Sequence, residues 1–365
     1  VIGINCSTGP EHMHASLSYL GEHSSLPVSC LPNAGLPQNV GGEAVYPLEP
    51  EPFAEVLAGF VRDYGLAVVG GCCGTTPEHI RALVKRVDGV KPRSHRPPRE
   101  AMVSSGMASV SLVQNPAPML IGERLNAQGS KRMKELLLGE DYSGIVEVAR
   151  EQVAGGAHTL DICCAMTERR DEAAQMARVV RRLSQSIEAP LVIDTTEADV
   201  LAAALKAAPG RIVVNAINME NGRGRIDAML PLIRTFGAAV IALTIDEQGM
   251  ARTAGRKLEV AEKIHRIVVD EYGLTPDSLI FDALTFTLAT GDPDFANTAV
   301  ETLEGIRRIK AALPGVLTSL GVSNVSFGFK PAARAVLNSV FLHHAVAAGL
   351  DMAIVNPKQV IAYAD

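Results

Sequence analysis

The sequence predicts an α/β protein built around a closed (β/α)8, or TIM, barrel, preceded by three further βα units. Three observations carry this prediction. From Leu120 onward one unit recurs: a short β-branched apolar run, a polar tip, then an amphipathic helix. The run returns eight times in about 250 residues, the count and length of such a barrel. No Gly-x-Gly-x-x-Gly turn follows the first run, so an open doubly wound sheet, the alternative, lacks its fingerprint.

In order, the runs are MLIGERLN (119–126), HTLDICC (158–164), PLVIDTT (190–196), RIVVNAIN (211–218), AVIALTID (239–246), SLIFDALT (278–285), LTSLGVSN (317–324) and DMAIVNP (351–357). Helices such as 143–155, 172–187 and 258–272 alternate with them, which predicts parallel strands covered on both faces. Every run ends in polar residues: Glu123 and Asn126, then Asp161, Asp194, Asn215, Asp246, Asp282, Asn324 and Asn356. In a barrel the C-terminal strand ends converge on one mouth, where active sites sit. Asp and Asn also cap helices, so each residue alone fits either role. A whole ring of carboxylates and carboxamides points to a ligand.

Residues 1–90 carry the same rhythm about three times: VIGINCS (1–7), LPVSCLPNA (26–34) and LAVVGGCCG (66–74), with helices at 11–21, 52–64 and 77–87. Three βα units cannot close a barrel, and a lone three-stranded parallel sheet exposes its edges. They are therefore expected to be the last units of a second TIM barrel whose earlier strands lie outside this chain. The stretch 91–114 has proline pairs, serines and clustered charge without apolar period, and reads as a linker. The barrel module is expected over 115–365.

Composition excludes several classes. The chain has 365 residues, 47% of them hydrophobic and 20% charged, as ordinary globular proteins do. A net charge of −6 argues against nucleic-acid binding. No apolar run approaches the roughly eighteen residues of a membrane span. The start, VIGINCSTGPEHM, lacks the basic and apolar regions of a signal peptide. Of the six cysteines, four form two adjacent pairs, a poor disulfide framework. Reduced thiols in the cytosol are the expectation.

Cys6 closes one run, and Cys72 with Cys73 close another two units later, so all three fall on one rim. Three thiolates suit Zn2+, which takes tetrahedral sulfur and nitrogen ligands and keeps a position open when catalytic. Gly70, Gly71 and Gly74 permit the tight backbone that brings adjacent cysteines to one ion. The bland reading, a small buried apolar filler, is kept for Cys30, Cys163 and Cys164. GINCSTGPEHM (3–13), VSCLPNAGLP (28–37) and GGCCGTTPEHI (70–80) resemble the closing part of the homocysteine methyltransferase family barrel. That resemblance implies Cys6, Cys72 and Cys73 as zinc ligands, with homocysteine sulfur at the fourth position.

IGERLNAQGSK (121–131), VIDTT (192–196), VVNAINMENG (213–222), IFDALTF (280–286) and GVSNVSFG (321–328) resemble the pterin-binding barrel of the cobalamin-dependent methionine synthase family. Dihydropteroate synthase and the corrinoid iron–sulfur protein methyltransferase share the pattern. The resemblance implies that Asp194, Asn215 and Asp282 hold the pterin ring, with Glu123 and Asn126 of the first strand also cofactor-binding. A carboxylate accepts the paired N–H and amino donors of a pterin edge in bidentate fashion. It also implies Asn324 beside the methyl-bearing nitrogen, strengthening its hydrogen bond as positive charge develops. Asn has no titratable proton, so Asp161 or water is expected to supply it. The family often has asparagine two residues after the second-strand aspartate, whereas Cys163 stands here. Arg124 and Lys330 read either as contacts to the glutamate tail of folate or as solvated surface charge.

The implied activity is methyl transfer from 5-methyltetrahydrofolate, by way of cobalamin, to zinc-activated homocysteine. The tandem order of two modules favours it over a homocysteine or a pterin enzyme alone. No Asp-x-His-x-x-Gly run is present, so cobalamin is expected on a separate or downstream domain. The alternatives are a truncated, non-catalytic folate-binding fragment, or a related pterin-dependent corrinoid methyltransferase.

Overall fold

The computed structural model describes residues 1–93, 100–289 and 297–361. Contacts divide the chain into two units, Val1–Glu100 and Ala101–Asp365.

The first unit alternates strands and helices: β1 (Ile2–Asn5), α1 (His14–His23), β2 (Val28–Leu31), a small hairpin of β3 (Gln38–Val40) and β4 (Glu43–Val45), α2 (Pro50–Tyr64), β5 (Val68–Val69) and α3 (Pro77–Val87). β1, β2 and β5 form a parallel sheet with β2 in the middle. α2 starts with a proline, whose fixed φ suits the first helical turn, and ends at Gly65 with φ 70°. Its buried positions Phe53, Ala54, Leu57, Ala58, Phe60 and Val61 recur at helical spacing. All but Ala58 pack with Leu17, Val28, Cys30, Leu66 and Leu83 in one core.

The second unit opens with a hairpin of β6 (Met102–Ser104) and β7 (Ser109–Ser111). The barrel follows: β8 (Met119–Asn126), α4 (Lys131–Leu138), α5 (Tyr142–Ala154), β9 (Thr159–Cys163), α6 (Glu172–Ser184), β10 (Leu191–Asp194), α7 (Ala198–Ala207), β11 (Val213–Ile217), α8 (Gly224–Phe236) and β12 (Ala239–Leu243). A short hairpin, β13 (Ile245–Asp246) and β14 (Gly249–Met250), precedes α9 (Ala254–His265), β15 (Leu279–Asp282), α10 (Thr298–Ala312), β16 (Leu317–Gly321), α11 (Pro331–Ala347) and β17 (Met352–Val355). Strands β8, β9, β10, β11, β12, β15, β16 and β17 close into a barrel with every neighbour parallel. These are the eight predicted runs.

Three details differ from the sequence reading. The stretch 91–114 is not all linker. Residues 94–99 of it lie outside the described residues, while Val103 and Leu112 are buried against Met119, Ile121, Val192, Val213, Ala239 and Leu317 near the N-terminal strand ends. Ser104 N–H donates to the Arg211 carbonyl at 2.8 Å, fixing this hairpin beneath β11. The fifth run breaks at Thr244, which donates through its N–H to the Asp282 carbonyl. Asp246 then belongs to the small hairpin. The seventh run ends at Gly321, and Asn324 lies in the helical turn 322–326 that follows.

Candidate active sites

In the first unit the chain leaves β1 with Cys6 and Ser7 both in the left-handed region, at φ 62° and 64°. Non-glycine residues there cost roughly 1–2 kcal/mol each, and such strain collects at functional sites. The end of β2 and the two residues after it act as a splint for all three cysteines. Cys6 N–H donates to the Leu31 carbonyl, Cys72 N–H to the Pro32 carbonyl, and Cys73 N–H to Oδ1 of the buried Asn33. Gly74 turns the chain at φ 76°, and a Cβ there would run into the ring of Tyr46.

The result is a cluster in which the sulfurs of Cys6, Cys72 and Cys73 all lie within 4.8 Å of one another. Cys6 and Cys73 are 3.7 Å apart, and Cys72 and Cys73 are 3.8 Å apart. A disulfide needs about 2.05 Å, so these are free thiols. A zinc–sulfur bond of about 2.3 Å gives a tetrahedral sulfur–sulfur edge of about 3.8 Å, so the donor set fits that metal. The Ser7 N–H, followed by hydrogen bonds from Cys72 and Cys73, draws the Cys6 thiol below its usual range. Hydrogen bonding with Cys6 and Cys73 pushes the Cys72 thiol the other way, as expected where sulfurs share too few protons. Interaction with the Cys73 thiol raises the Tyr46 phenol. Sequence reasoning missed Tyr46 and Asn33, since neither lies beside a cysteine in the chain. Cys30, Cys163 and Cys164 are buried elsewhere, and burial alone pushes the Cys30 thiol up to about 12.

In the barrel, the strand ends bring four expected residues into one hydrogen-bonded group. Asn126 Nδ2 donates to Asp194 Oδ2 at 2.7 Å and reaches Asp161 Oδ2 at 3.4 Å. Asn215 Nδ2 donates to Asp161 Oδ1 at 3.2 Å. Burial, then the charge of Asp194, pushes Asp161 well above the ordinary carboxylate range. Burial also moves Asp194 up to about 6, against the Asn126 hydrogen bond. Burial of two carboxyls side by side thus favours the protonated form of Asp161.

Across the mouth, Asp282 is 7% exposed and accepts the Leu284 N–H at 2.7 Å. Burial pushes it up to about 6, opposed by the N–H groups of Leu284 and Gly321 and by the charge of Lys257. Asn324, in the helical turn that follows the adjacent strand β16, is exposed, and its amide nitrogen folds back to 2.9 Å from where a Gly321 Cβ would sit. Its side chain makes no hydrogen bond among the described residues, which leaves the amide free for a ligand. Ser319, level with Asp282 in the ladder, has a buried hydroxyl without a partner.

Other ring members turn to different work. An irregularity in β8 between Gly122 and Leu125 re-aims Glu123, which accepts from Ser323 Oγ at 3.1 Å; burial raises its carboxyl. Its charge still acts on Asp161. Asp246 is ion-paired with Arg256 and Lys263, and Asn356 caps the turn at Lys358. Arg124 and Lys330 are exposed. The sequence reading also missed Lys257, a fully buried lysine on the inner stripe of α9. Its signal was legible: charge at a position where the helical period calls for an apolar side chain.

Residues 122–356 match the family model described as pterin binding enzyme, and residues 1–87 match that of homocysteine S-methyltransferase. Proteins named methionine synthase from Mycobacterium leprae and Mycobacterium tuberculosis are each 44% identical over 99% of this chain. The chain spans 30% of the length of each. A dihydropteroate synthase from Burkholderia cenocepacia superposes with a TM-score of 0.51 at 18% identity, covering 70% of this chain and 91% of its own, a likeness of fold. Among the described residues no helix is long and apolar enough to cross a membrane.

Proposed function

Since this chain belongs to the pterin-binding enzyme family, we propose that it is the substrate-binding part of a methyltransferase. It moves a methyl group from 5-methyltetrahydrofolate, by way of cobalamin held on another domain, to zinc-activated homocysteine, yielding methionine and tetrahydrofolate. The observation that carries this reading is the pairing of a three-thiol cluster at tetrahedral zinc spacing with a pterin-type mouth in one chain. The 44% identity to methionine synthases supports it across both modules.

Cys6, Cys72 and Cys73 would hold the zinc. When bound, zinc holds an incoming homocysteine sulfur as a thiolate nucleophile at neutral pH. Ser7 N–H and the Asn33 splint orient the three sulfurs for that role.

In the barrel, Asp282 and Asp194 accept the paired donors of the pterin edges, and Asn215 meets a mixed donor–acceptor edge. Both carboxyls are ionised at neutral pH, since each titrates near 6. The methyl-bearing nitrogen must gain a proton or a strong hydrogen bond before its amine can leave. Asp161, whose carboxyl burial and the charge of Asp194 push well above the ordinary range, is the proton donor this reading assigns within the same ring, and Asn324 offers an uncommitted amide at the rim.

The test is metal content and equilibrium 5-methyltetrahydrofolate binding on the same purified chain. About one zinc per chain with saturable folate binding is expected. Folate binding without zinc would favour a folate-binding fragment, and neither would refute the reading.

A further inference from the structure

A lysine buried in a helix's apolar stripe must find compensating partners. On α9 the inward positions are Ala254, Lys257, Val260, Ala261 and Ile264, and Lys257 is 0% exposed. Its ammonium donates to three backbone carbonyls: Ala251 at 3.0 Å, Ala283, and Leu284 at 3.4 Å. The last two lie immediately after Asp282. Leu284 stands in the left-handed region at φ 60°, which a branched side chain avoids unless its surroundings hold it there. In that conformation its N–H points back to Asp282 Oδ1 at 2.7 Å, while Thr302 Oγ1 donates to its carbonyl at 2.8 Å from α10. The charged groups acting on the ammonium are Asp282 on β15 and Glu301 on α10. The charged group acting on Asp282 is Lys257.

We propose that Lys257 is the positioning residue for Asp282: it clamps the 283–284 backbone so that Leu284 N–H holds one carboxylate oxygen, and its charge keeps that carboxyl ionised for the ligand. This rests on the reading of Asp282 as the pterin acceptor. A purely structural lysine would only satisfy three carbonyls, and a neutral donor would serve nearly as well. Charge therefore separates the two roles. Removing the cation makes ionisation of Asp282 harder, so its titration moves up in pH and carries the acid limit of pterin binding with it.

The experiment measures 5-methyltetrahydrofolate affinity between about pH 5 and 8.5 for the wild-type chain, Lys257→Gln and Asp282→Ala. Lys257→Gln keeps donors and loses charge. Its affinity should approach that of wild type at the alkaline end, with the acid midpoint about half a pH unit or more higher. A folded Lys257→Gln chain with an unmoved midpoint overturns the proposal while leaving the pterin assignment standing. Unchanged binding in Asp282→Ala overturns both. Should Lys257→Gln not fold, Gly305→Ala displaces the lysine stem instead, because the new Cβ would meet Lys257 Cδ at 2.6 Å. Weaker folate binding is then expected, and wild-type affinity would overturn the clamp.

Discussion

Replacing Asp282 with Asn should stabilise the ligand-free barrel while weakening its hold on pterin. A carboxyl that titrates near 6 in the folded chain, against an ordinary 3.8, opposes folding by about 3 kcal/mol when ionised at pH 7. Asn forgoes that cost but must itself be desolvated, which leaves a net gain of about 1–3 kcal/mol. For a unit of this size the gain is worth roughly 3–9 °C in Tm. The pH dependence is diagnostic. Because the folded value is raised, the wild-type penalty is full above pH 6, about half at pH 5 and nearly gone at pH 4. The stability gap between variant and wild type should close over that window, whatever Asp161 and Asp194 contribute to both. Urea or thermal unfolding at pH 7, 5 and 4 reads it directly. Folate affinity at pH 7 should fall about tenfold to a hundredfold, as a charge-assisted pair is lost. An Asn variant no more stable than wild type at pH 7, or a gap that persists at pH 4, would refute the reasoning.

Two further outcomes test the remaining assignments. Cys73→Ala should leave only two of the three thiolates, too few to hold zinc tightly, so metal content falls to near zero while folate binding is unchanged; full zinc occupancy would remove Cys73 from the ligand set. Asn324→Ala should slow single-turnover methyl transfer to added cob(I)alamin about a hundredfold with little change in folate affinity, since a donor that engages only as charge develops acts on the chemical step. Equal losses in rate and affinity would make Asn324 a binding residue instead.

The barrel was readable because each strand combines β-branched apolar residues with a polar tip, and the period of its helices is strong. Asp161, Asp194, Asn215 and Asp282 were legible as strand-end residues for the same reason. What the residue pattern left out depends on tertiary geometry. Glu123 sits at a strand end, yet a local irregularity in β8 turns it toward Ser323. Asp246 has the same signature, but Arg256 and Lys263, both on α9, claim it. The hairpin at 102–111 is too short, and too rich in serine, to announce itself as a strand pair. Asn33 reaches the thiols only because the sheet sets β2 between β1 and β5.

That hairpin has a kinetic corollary. With Val103 and Leu112 packed against the apolar side chains that fill the barrel, the end opposite the mouth is closed. Whatever reaches Asp194 and Asp282 enters by the same opening through which it must depart. Under the proposed function, loading of the methyl donor, collection of its methyl group and discharge of the demethylated pterin would share one doorway and take place in turn. A cobalamin domain docked there, as that reading requires, would delay the next exchange, and its dwell time would set an upper bound on turnover.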